Sequence, residues 1–444
     1  MKFLCSKSGK LFNNYLICDL YNRSKIAENA NHLENQNKEN CVLEFSVGKG
    51  KVIVFPEGSV SLIHNNSTIR KNFYSEFSKE YTSERVAKVS KGVIRIHIQK
   101  ALEYLFQKRN LPFVHLWFFP GDAKNIFCFR VDTDMGSREE IISLNNLLQD
   151  FNIPSTWFVE TKSSESWIKL FSELDNQEIA FHCYKHKTFL SYKKIEGDVQ
   201  TGLKILESVG IKPKGYAAPY GKWNETIAKV IDNFGFLYSS EFDFAYDALP
   251  LYPFYKSTFS KALQIPIHPV SVGRLHWGGH SEENMVKYFL NIIEQKLFLN
   301  EPVILYTHPF EKRLKVFEKV FKQIKEFDPG KSANQEISIL TFSKYAEWWK
   351  KRLSINWNAE VKDGKVFISA SNMDESIKCR VNYPSGEKTL LSLNQDEENK
   401  IEEDNFEFHN SFPKDPWYNP NELRRKNLQM VKYDIIGILR KLKQ

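Results

Sequence analysis

Between about residue 124 and residue 352, the sequence alternates short apolar runs with amphipathic stretches, and this alternation limits the possible folds more than any other feature. Runs at 126–131, 155–159 and 303–306 are short and rich in aromatic or β-branched residues, as buried strands are. Helical patterns separate them, the longest at 282–299. Because strands that alternate with helices form parallel sheets, about seven such units predict an α/β fold, a distorted (β/α) barrel. A doubly wound open sheet is the alternative.

The regions on either side follow different patterns. Before the alternating segment, a hairpin signature at 41–56 and a helical periodicity at 84–107 indicate mixed α/β structure. After it, Asp363-Gly364 separates two alternating runs, which is a hairpin signal. We therefore predict four regions: an N-terminal α/β domain of unknown role at 1–118, the barrel at 119–352, a small antiparallel β module at 355–395, and an acidic linker with an amphipathic C-terminal helix at 396–444.

The predicted C-terminal helix, near 421–443, has one apolar face, with lysine and arginine side chains elsewhere. Such a helix can dock onto the protein's own surface, or it can contact a membrane surface or a partner. Only the second interpretation predicts peripheral membrane association.

Composition excludes several classes of protein. The 62 lysines and arginines against 54 acidic residues give a net charge of +8, and because these charges are scattered we expect no nucleic-acid binding. The six cysteines form no C-x-x-C pair, so reduced thiols are expected and structural zinc is not. The first residues lack the apolar core of a signal peptide, and no apolar run approaches the ~20 residues of a membrane-spanning helix. These features predict a cytoplasmic protein.

Two groups of polar residues directly follow predicted strands. In Arg130-Val-Asp132-Thr-Asp134, one carboxylate can bind a cation while the other acts as a base; capping of the helix that follows is the alternative. His182 and His186, four residues apart, would share one face of a helical turn, so that both imidazoles reach one metal ion.

Two further positions could carry chemistry at strand ends. Pro219-Tyr220-Gly221 is either a simple loop or a rigid turn that aims a backbone N–H at an oxyanion. His308, at the end of the last buried strand, is either structural or a general acid. His276 and His280 form a competing histidine pair, although two internal glycines make a helix there improbable.

The order of these groups along the chain is more specific than any one of them. Asp-x-Asp after the first strand, His-x-x-x-His after the third, Pro-Tyr-Gly after the next and a strand-end histidine last together resemble the polysaccharide deacetylase family, also called carbohydrate esterase family 4 or the NodB-homology domain. The resemblance covers roughly residues 124–350. The Arg-x-Asp-x-Asp form looks like the branch that includes deformylases of lipid-linked amino sugars.

The resemblance implies a distorted (β/α) barrel that removes acyl groups from amino sugars with a divalent metal, most simply Zn²⁺. It implies that Asp132 is the catalytic base, that His308 is the general acid and that the Tyr220 backbone N–H binds the oxyanion. The implied metal ligands are Asp134, His182 and His186. As substrate-binding residues we expect Pro219, Trp223 and His268, and as partner a carbohydrate that carries an acylated amino sugar.

Three features depart from the family's motifs. The first motif usually has two adjacent aspartates, whereas one residue separates them here. Cys183 stands where the family has Ser or Thr, and Ala217 stands where the family has an Arg that orients and tunes the catalytic Asp. Arg130 or Lys222 is available to replace that Arg. The sequence thus leaves two functions open: a metal-dependent hydrolase of N-acylated amino sugars, or a catalytically impaired barrel that binds glycan or scaffolds an assembly.

Overall fold

The computed structural model describes residues 43–55, 58, 60–73, 82–310, 314–326, 337–362, 365–371, 374–393 and 396–398. The predicted C-terminal helix and most of the acidic linker lie outside these residues. Across these ranges, no helix combines the length and the apolar character needed to cross a membrane.

The N-terminal region contains two antiparallel hairpins and one long helix. Its elements are β1 (Leu43–Val47), β2 (Gly50–Val54), a 3-10 helix (Ser61–His64), β3 (Thr68–Phe73), β4 (Thr82–Ala87), α1 (Lys91–Gln107) and β5 (Phe113–Leu116). The β1–β2 pairing confirms the predicted hairpin. The predicted helix at 84–107 is wrong in its first part, because Thr82–Ala87 pairs with β3 as a strand and the helix begins only after Ser90.

The central region carries the predicted alternation of strands and helices. Its elements are β6 (Asn125–Asp132), α2 (Arg138–Asp150), β7 (Ser155–Glu160), α3 (Thr161–Ser164) continued by a 3-10 helix (Glu165–Glu173), β8 (Glu178–Cys183), α4 (Tyr192–Glu207), β9 (Gly215–Tyr216), a 3-10 helix (Pro219–Gly221), α5 (Glu225–Phe234), β10 (Tyr238–Ser239), β11 (Phe254–Tyr255), β12 (Thr258–Phe259), β13 (Leu263–Gln264), α6 (Val272–Trp277), α7 (Glu282–Leu299), β14 (Val303–Thr307), α8 (Val316–Glu326), β15 (Ile337–Ile339) and α9 (Phe342–Ser354).

Seven parallel strands form a curled sheet in the order β13-β10-β9-β8-β7-β6-β14, with β15 paired to β6. From β6 to β13 this order follows the chain, whereas a doubly wound sheet reverses its order partway. His268, just after β13, donates its backbone N–H to Ile304 O of β14 at 3.0 Å, which links the two edge strands. The fold is therefore a distorted (β/α) barrel, as predicted.

The barrel core is strongly aromatic. All eight residues of β6 are buried, as expected of a parallel strand covered on both faces. Phe127 and Phe129 of β6 pack edge to face against Phe317 and Phe321 of α8. Each such ring contributes roughly 1.5–3 kcal/mol when fully buried. The packing holds β6 rigidly, and β6 carries Asp132 at its end.

The C-terminal strands form two small antiparallel sheets. The elements are β16 (Trp357–Lys362), β17 (Lys365–Ala370), β18 (Lys378–Asn382), β19 (Lys388–Ser392) and β20 (Asp396–Glu398). The β16–β17 hairpin confirms the hairpin expected around Asp363-Gly364, and β20 extends its sheet into the first residues of the predicted acidic linker. β18 pairs with β19 and with β5, so the last strand before the barrel shares a sheet with two of the C-terminal strands.

Candidate active site

The candidate catalytic residues lie where neighbouring parallel strands end. Asp132 is the last residue of β6, and His182 is the residue before the end of β8. His308 follows β14 directly, where Thr307 is in register with Val131 of β6. Because the carboxyl ends of parallel strands open onto the same face of a barrel, residues far apart in sequence meet there.

Asp134 is at the centre of this group. Its Oδ1 lies 3.2 Å from His182 Nε2 and 3.3 Å from His186 Nε2, and its Oδ2 lies 3.5 Å from His308 Nε2. Within the described residues, Asp134, His182 and His186 are the one group of three or more His, Cys, Asp or Glu side chains close enough to hold a metal ion. The turn between the histidines is not the predicted helical turn, since His182 belongs to β8 and residues 184–186 form a bend.

Two atoms in this group test whether a metal fits. His182 Nε2 and Asp134 Oδ1 are both buried, and neither has a hydrogen-bond partner in the part of the chain that the structure describes. His182 Nδ1 lies 2.6 Å from the Ala217 carbonyl oxygen and donates its proton there, so the neutral imidazole presents its Nε2 lone pair to the carboxylate. Two buried atoms that face each other in this way need a proton or a metal cation between them, and two imidazoles with one carboxylate form a donor set that fits a divalent metal.

The pKa shifts favour ligand-competent states for two of these groups. Burial alone would raise the pKa of Asp134, but His308, His182 and His186 together lower it, so the carboxylate stays ionised. Burial lowers the pKa of His186 to about 4, so its imidazole is neutral at pH 7. Burial also tends to lower the pKa of His182, but Asp134 and Asp132 outweigh it and raise the pKa in the absence of a metal.

Asp132 is held by Arg130, two residues earlier on the same strand. The Arg130 Nε donates to Asp132 Oδ1 at 2.6 Å and its Nη2 donates to Oδ2 at 2.8 Å, which is the two-pronged geometry that guanidinium groups favour. A third bond runs from Arg130 Nη1 to the Ser240 carbonyl oxygen at 2.6 Å. Of the two candidates to replace the family's Arg at Ala217, Arg130 thus contacts Asp132, whereas Lys222 pairs with Asp243 at 2.8 Å.

Tight turns bring the remaining parts of the site together. Asp134 has a positive φ of 42°, which aspartate tolerates, so the chain turns sharply after β6. A Cβ on Gly136 would lie 2.7 Å from the Pro309 ring, so glycine permits the close approach of this turn to the His308 segment. Tyr220 also has a positive φ, 60°, which is strained for an aromatic residue, and its ring packs edge to face on His186.

The three predicted substrate-binding residues lie in different surroundings. Pro219 is buried in the 3-10 helix that presents Tyr220. Trp223 is only 6% exposed and packs against Phe244, and His268 is 5% exposed with its Nε2 3.1 Å from the Tyr288 hydroxyl. Such burial is typical of core residues, and substrate binding by these residues stays a prediction.

The competing pair, His276 and His280, is not arranged like His182 and His186. His276 lies within α6, whereas His280 follows two glycines and is buried, with its Nδ1 3.0 Å from Leu275 O.

Three polar residues near the site were not singled out from the sequence. Glu160 ends β7 and accepts the Ser163 backbone N–H at 2.8 Å, while Ser163 Oγ donates to the Asp134 carbonyl oxygen at 3.1 Å. Glu241 is fully buried and accepts the Ala218 N–H at 3.0 Å. The signal for Glu160 was available, because it is a carboxylate at the end of an apolar strand, as Asp132 is.

A known family matches part of the barrel. The family model described as "Polysaccharide deacetylase" matches residues 132–239, the span that contains Asp132, Asp134, His182, His186 and the Pro219–Gly221 turn. The match confirms that this part of the chain resembles the polysaccharide deacetylase family. No curated protein matches the chain.

Part of the chain is also similar to solved structures that are described as polysaccharide deacetylases or as family 4 carbohydrate esterases. A protein from Mycobacterium smegmatis described as a polysaccharide deacetylase is 17% identical, with 54% of this chain and 96% of that chain covered and a TM-score of 0.43. A carbohydrate esterase family 4 pseudoenzyme from Bacillus anthracis is 16% identical, with 51% and 66% covered and a TM-score of 0.36. A family 4 carbohydrate esterase from Streptomyces lividans, in complex with acetate, is 16% identical, with 46% and 89% covered and a TM-score of 0.32.

Proposed function

We propose that the barrel is a metal-dependent hydrolase that removes an N-acyl group, acetyl or formyl, from an amino sugar in a polysaccharide or glycoconjugate. The observation that carries this proposal is the cluster of Asp134, His182 and His186 next to the Arg130–Asp132 pair. Two imidazoles and one carboxylate form a donor set that suits Zn²⁺, and a catalytic zinc site keeps a further position open.

In this proposal, Asp134, His182 and His186 hold the divalent cation. When bound, the cation supplies Lewis acidity that activates a water molecule and polarises the acyl carbonyl. The His182 Nδ1–H bond to Ala217 O fixes the imidazole with Nε2 as the ligand atom.

The proton transfers belong to Asp132 and His308. Asp132 takes the proton of the attacking water, and the two bonds from Arg130 keep its carboxylate oriented. His308, on the other side of Asp134, gives a proton to the leaving amine nitrogen, which would otherwise depart as a poor anion. The Tyr220 backbone N–H, in its strained turn, stabilises the developing oxyanion.

Exposed apolar side chains surround these groups and favour a sugar as substrate. Tyr220 and Phe310 are each 45% exposed, and their rings contact His186 and His308 respectively. Met135, next to Asp134, is also exposed. Aromatic faces pack well against the apolar faces of pyranose rings, so this rim suits a carbohydrate chain.

The test is release of free amine from N-acetylated and N-formylated amino-sugar oligomers by the purified full-length protein. We expect turnover with Zn²⁺, loss of turnover with a chelator and recovery when the metal is restored. Asp132→Asn should lower kcat by about 10²-fold or more, since it removes the base. The exposed helix residue Glu207 provides a matched control, because Glu207→Gln should leave turnover unchanged.

The alternative drawn from Ala217 and from the separated aspartates, a barrel that binds glycan without catalysis, predicts a different result. It requires sugar binding by the unmodified protein with no amine release under any divalent metal. That outcome would overturn the proposed hydrolase.

A further inference from the structure

The turn that joins the two histidine ligands depends on neighbouring elements for its shape. After β8 ends at Cys183, the backbone bends through residues 184–186 without helical hydrogen bonds. Helix α3 supplies two contacts: the Lys162 backbone N–H donates to Tyr184 O at 3.1 Å, and Thr161 Oγ1 donates to Cys183 O at 3.4 Å. The position of His186 therefore depends on how this bend is held.

Asp198 of α4 binds the centre of the bend from the other side. Its Oδ2 accepts the Tyr184 N–H at 2.9 Å and its Oδ1 accepts the Lys185 N–H at 3.0 Å. One carboxylate thus engages two consecutive N–H groups, directly before the His186 ligand. Bonds from a carboxylate to backbone N–H groups are charge-assisted and are among the stronger hydrogen bonds in proteins.

Helix α4 can place Asp198 there because it lies very close to β8. Ile195, Val199 and Leu206 form its buried face, and Gly202 lies on Phe181, where an added Cβ would come within 2.3 Å of the ring. With no side chain at position 202, the helix approaches the strand closely enough for a short aspartate to reach the bend.

The residue after His182 cannot itself make strong hydrogen bonds to the bend. Cys183 stands where the resembled family has Ser or Thr, and a thiol is a weak donor and acceptor. Its side chain is also buried. A strong polar contact that fixes the bend must therefore come from outside the motif, and Asp198 makes two.

We infer that Asp198 is a positioning residue for the metal centre: its carboxylate holds the Tyr184–Lys185 backbone so that the His186 imidazole faces Asp134 beside His182. This inference rests on the proposed function, because it assumes that these three side chains bind the metal. Residues that orient metal ligands typically change metal affinity by 10–100-fold when they are removed.

The test measures the Zn²⁺ dissociation constant of the full-length protein by competition with a chromophoric chelator, far below the melting temperature. We expect Asp198→Ala to weaken Zn²⁺ binding by about tenfold or more. Asp198→Asn should weaken it less, because the amide oxygen still accepts one N–H while the amide NH₂ faces the other. Thermal melting of the metal-free proteins measures any loss of stability separately.

Val199→Ala is the matched control, since Val199 is buried on the same helix one residue away and makes no contact through a polar side chain. It should lower the melting temperature and leave Zn²⁺ affinity unchanged. If Asp198→Ala binds Zn²⁺ as tightly as Val199→Ala while His182→Ala does not bind it, the positioning role is wrong and the metal centre stands. If His182→Ala also keeps full affinity, the metal centre and this inference are both overturned.

Discussion

Replacing Arg130 with methionine would leave the Asp132 carboxylate buried without its partner. Arg130 is fully buried and Asp132 is 5% exposed, so water can replace few of the lost bonds. The Arg130 guanidinium also lies 4.6 Å from the centre of the Phe158 ring and donates to Ser240 O.

Removing one partner of a buried ion pair typically costs about 3–5 kcal/mol, because the remaining charge is left uncompensated. We expect a loss of that size for Arg130→Met and for Asp132→Leu. Replacing both partners by apolar side chains is often close to neutral. The double variant Arg130→Met with Asp132→Leu should therefore recover at least half of the stability that either single variant loses.

The assay is urea unfolding of the metal-free proteins, followed by tryptophan fluorescence, with the four proteins compared as a double-mutant cycle. Arg130→Lys adds a geometric control, because a lysine ammonium cannot form the two parallel bonds of the guanidinium. Arg130→Lys should therefore recover only part of the stability that Arg130→Met loses. Additive losses in the double variant would refute the reasoning that the pair is energetically coupled.

Two further predictions concern stability. Burial raises the pKa of Glu241 to about 7, so the folded state holds a proton that the unfolded state releases above pH ~4.5. The free energy of unfolding should therefore fall by roughly 3 kcal/mol as pH rises from 4.5 to 7. Glu241→Gln should remove most of this fall in pH-dependent urea unfolding, and an unchanged pH profile would contradict the assignment. Gly202→Ala, whose Cβ would meet the Phe181 ring at 2.3 Å, should destabilise the protein by about 1–3 kcal/mol. Gly197→Ala on the same helix, with open space around it, should stabilise the protein by up to about 1 kcal/mol. Melting temperatures that move in the same direction for both variants would show that α4 does not pack on β8 as described.

The sequence predicted the barrel, and which candidate residues meet in it, where one local pattern decides the structure. The helix at 282–299 and the strand that delivers His308 were recognisable because apolar periodicity fixes both the type of element and its buried face. The meeting of Asp134, His182 and His308 followed from parallel strands, whose carboxyl ends share one face.

Other features depend on contacts between distant segments, which periodicity does not encode. Residues 82–87 fit a helical pattern as well as a strand pattern, and pairing with β3 decides in favour of a strand. The pairing of β5 with β18 joins residues more than 260 positions apart. The support of the His186 bend by Asp198 depends equally on the packing of α4 against β8, which the sequence did not reveal.

If a divalent metal binds between Asp134, His182 and His186, anomalous diffraction from crystals soaked in Zn²⁺ will locate it. We expect a strong anomalous peak about 2 Å from one Asp134 oxygen and from the Nε2 atoms of both histidines. A map without a peak there, or with its only strong peak at His276 and His280, would contradict this expectation.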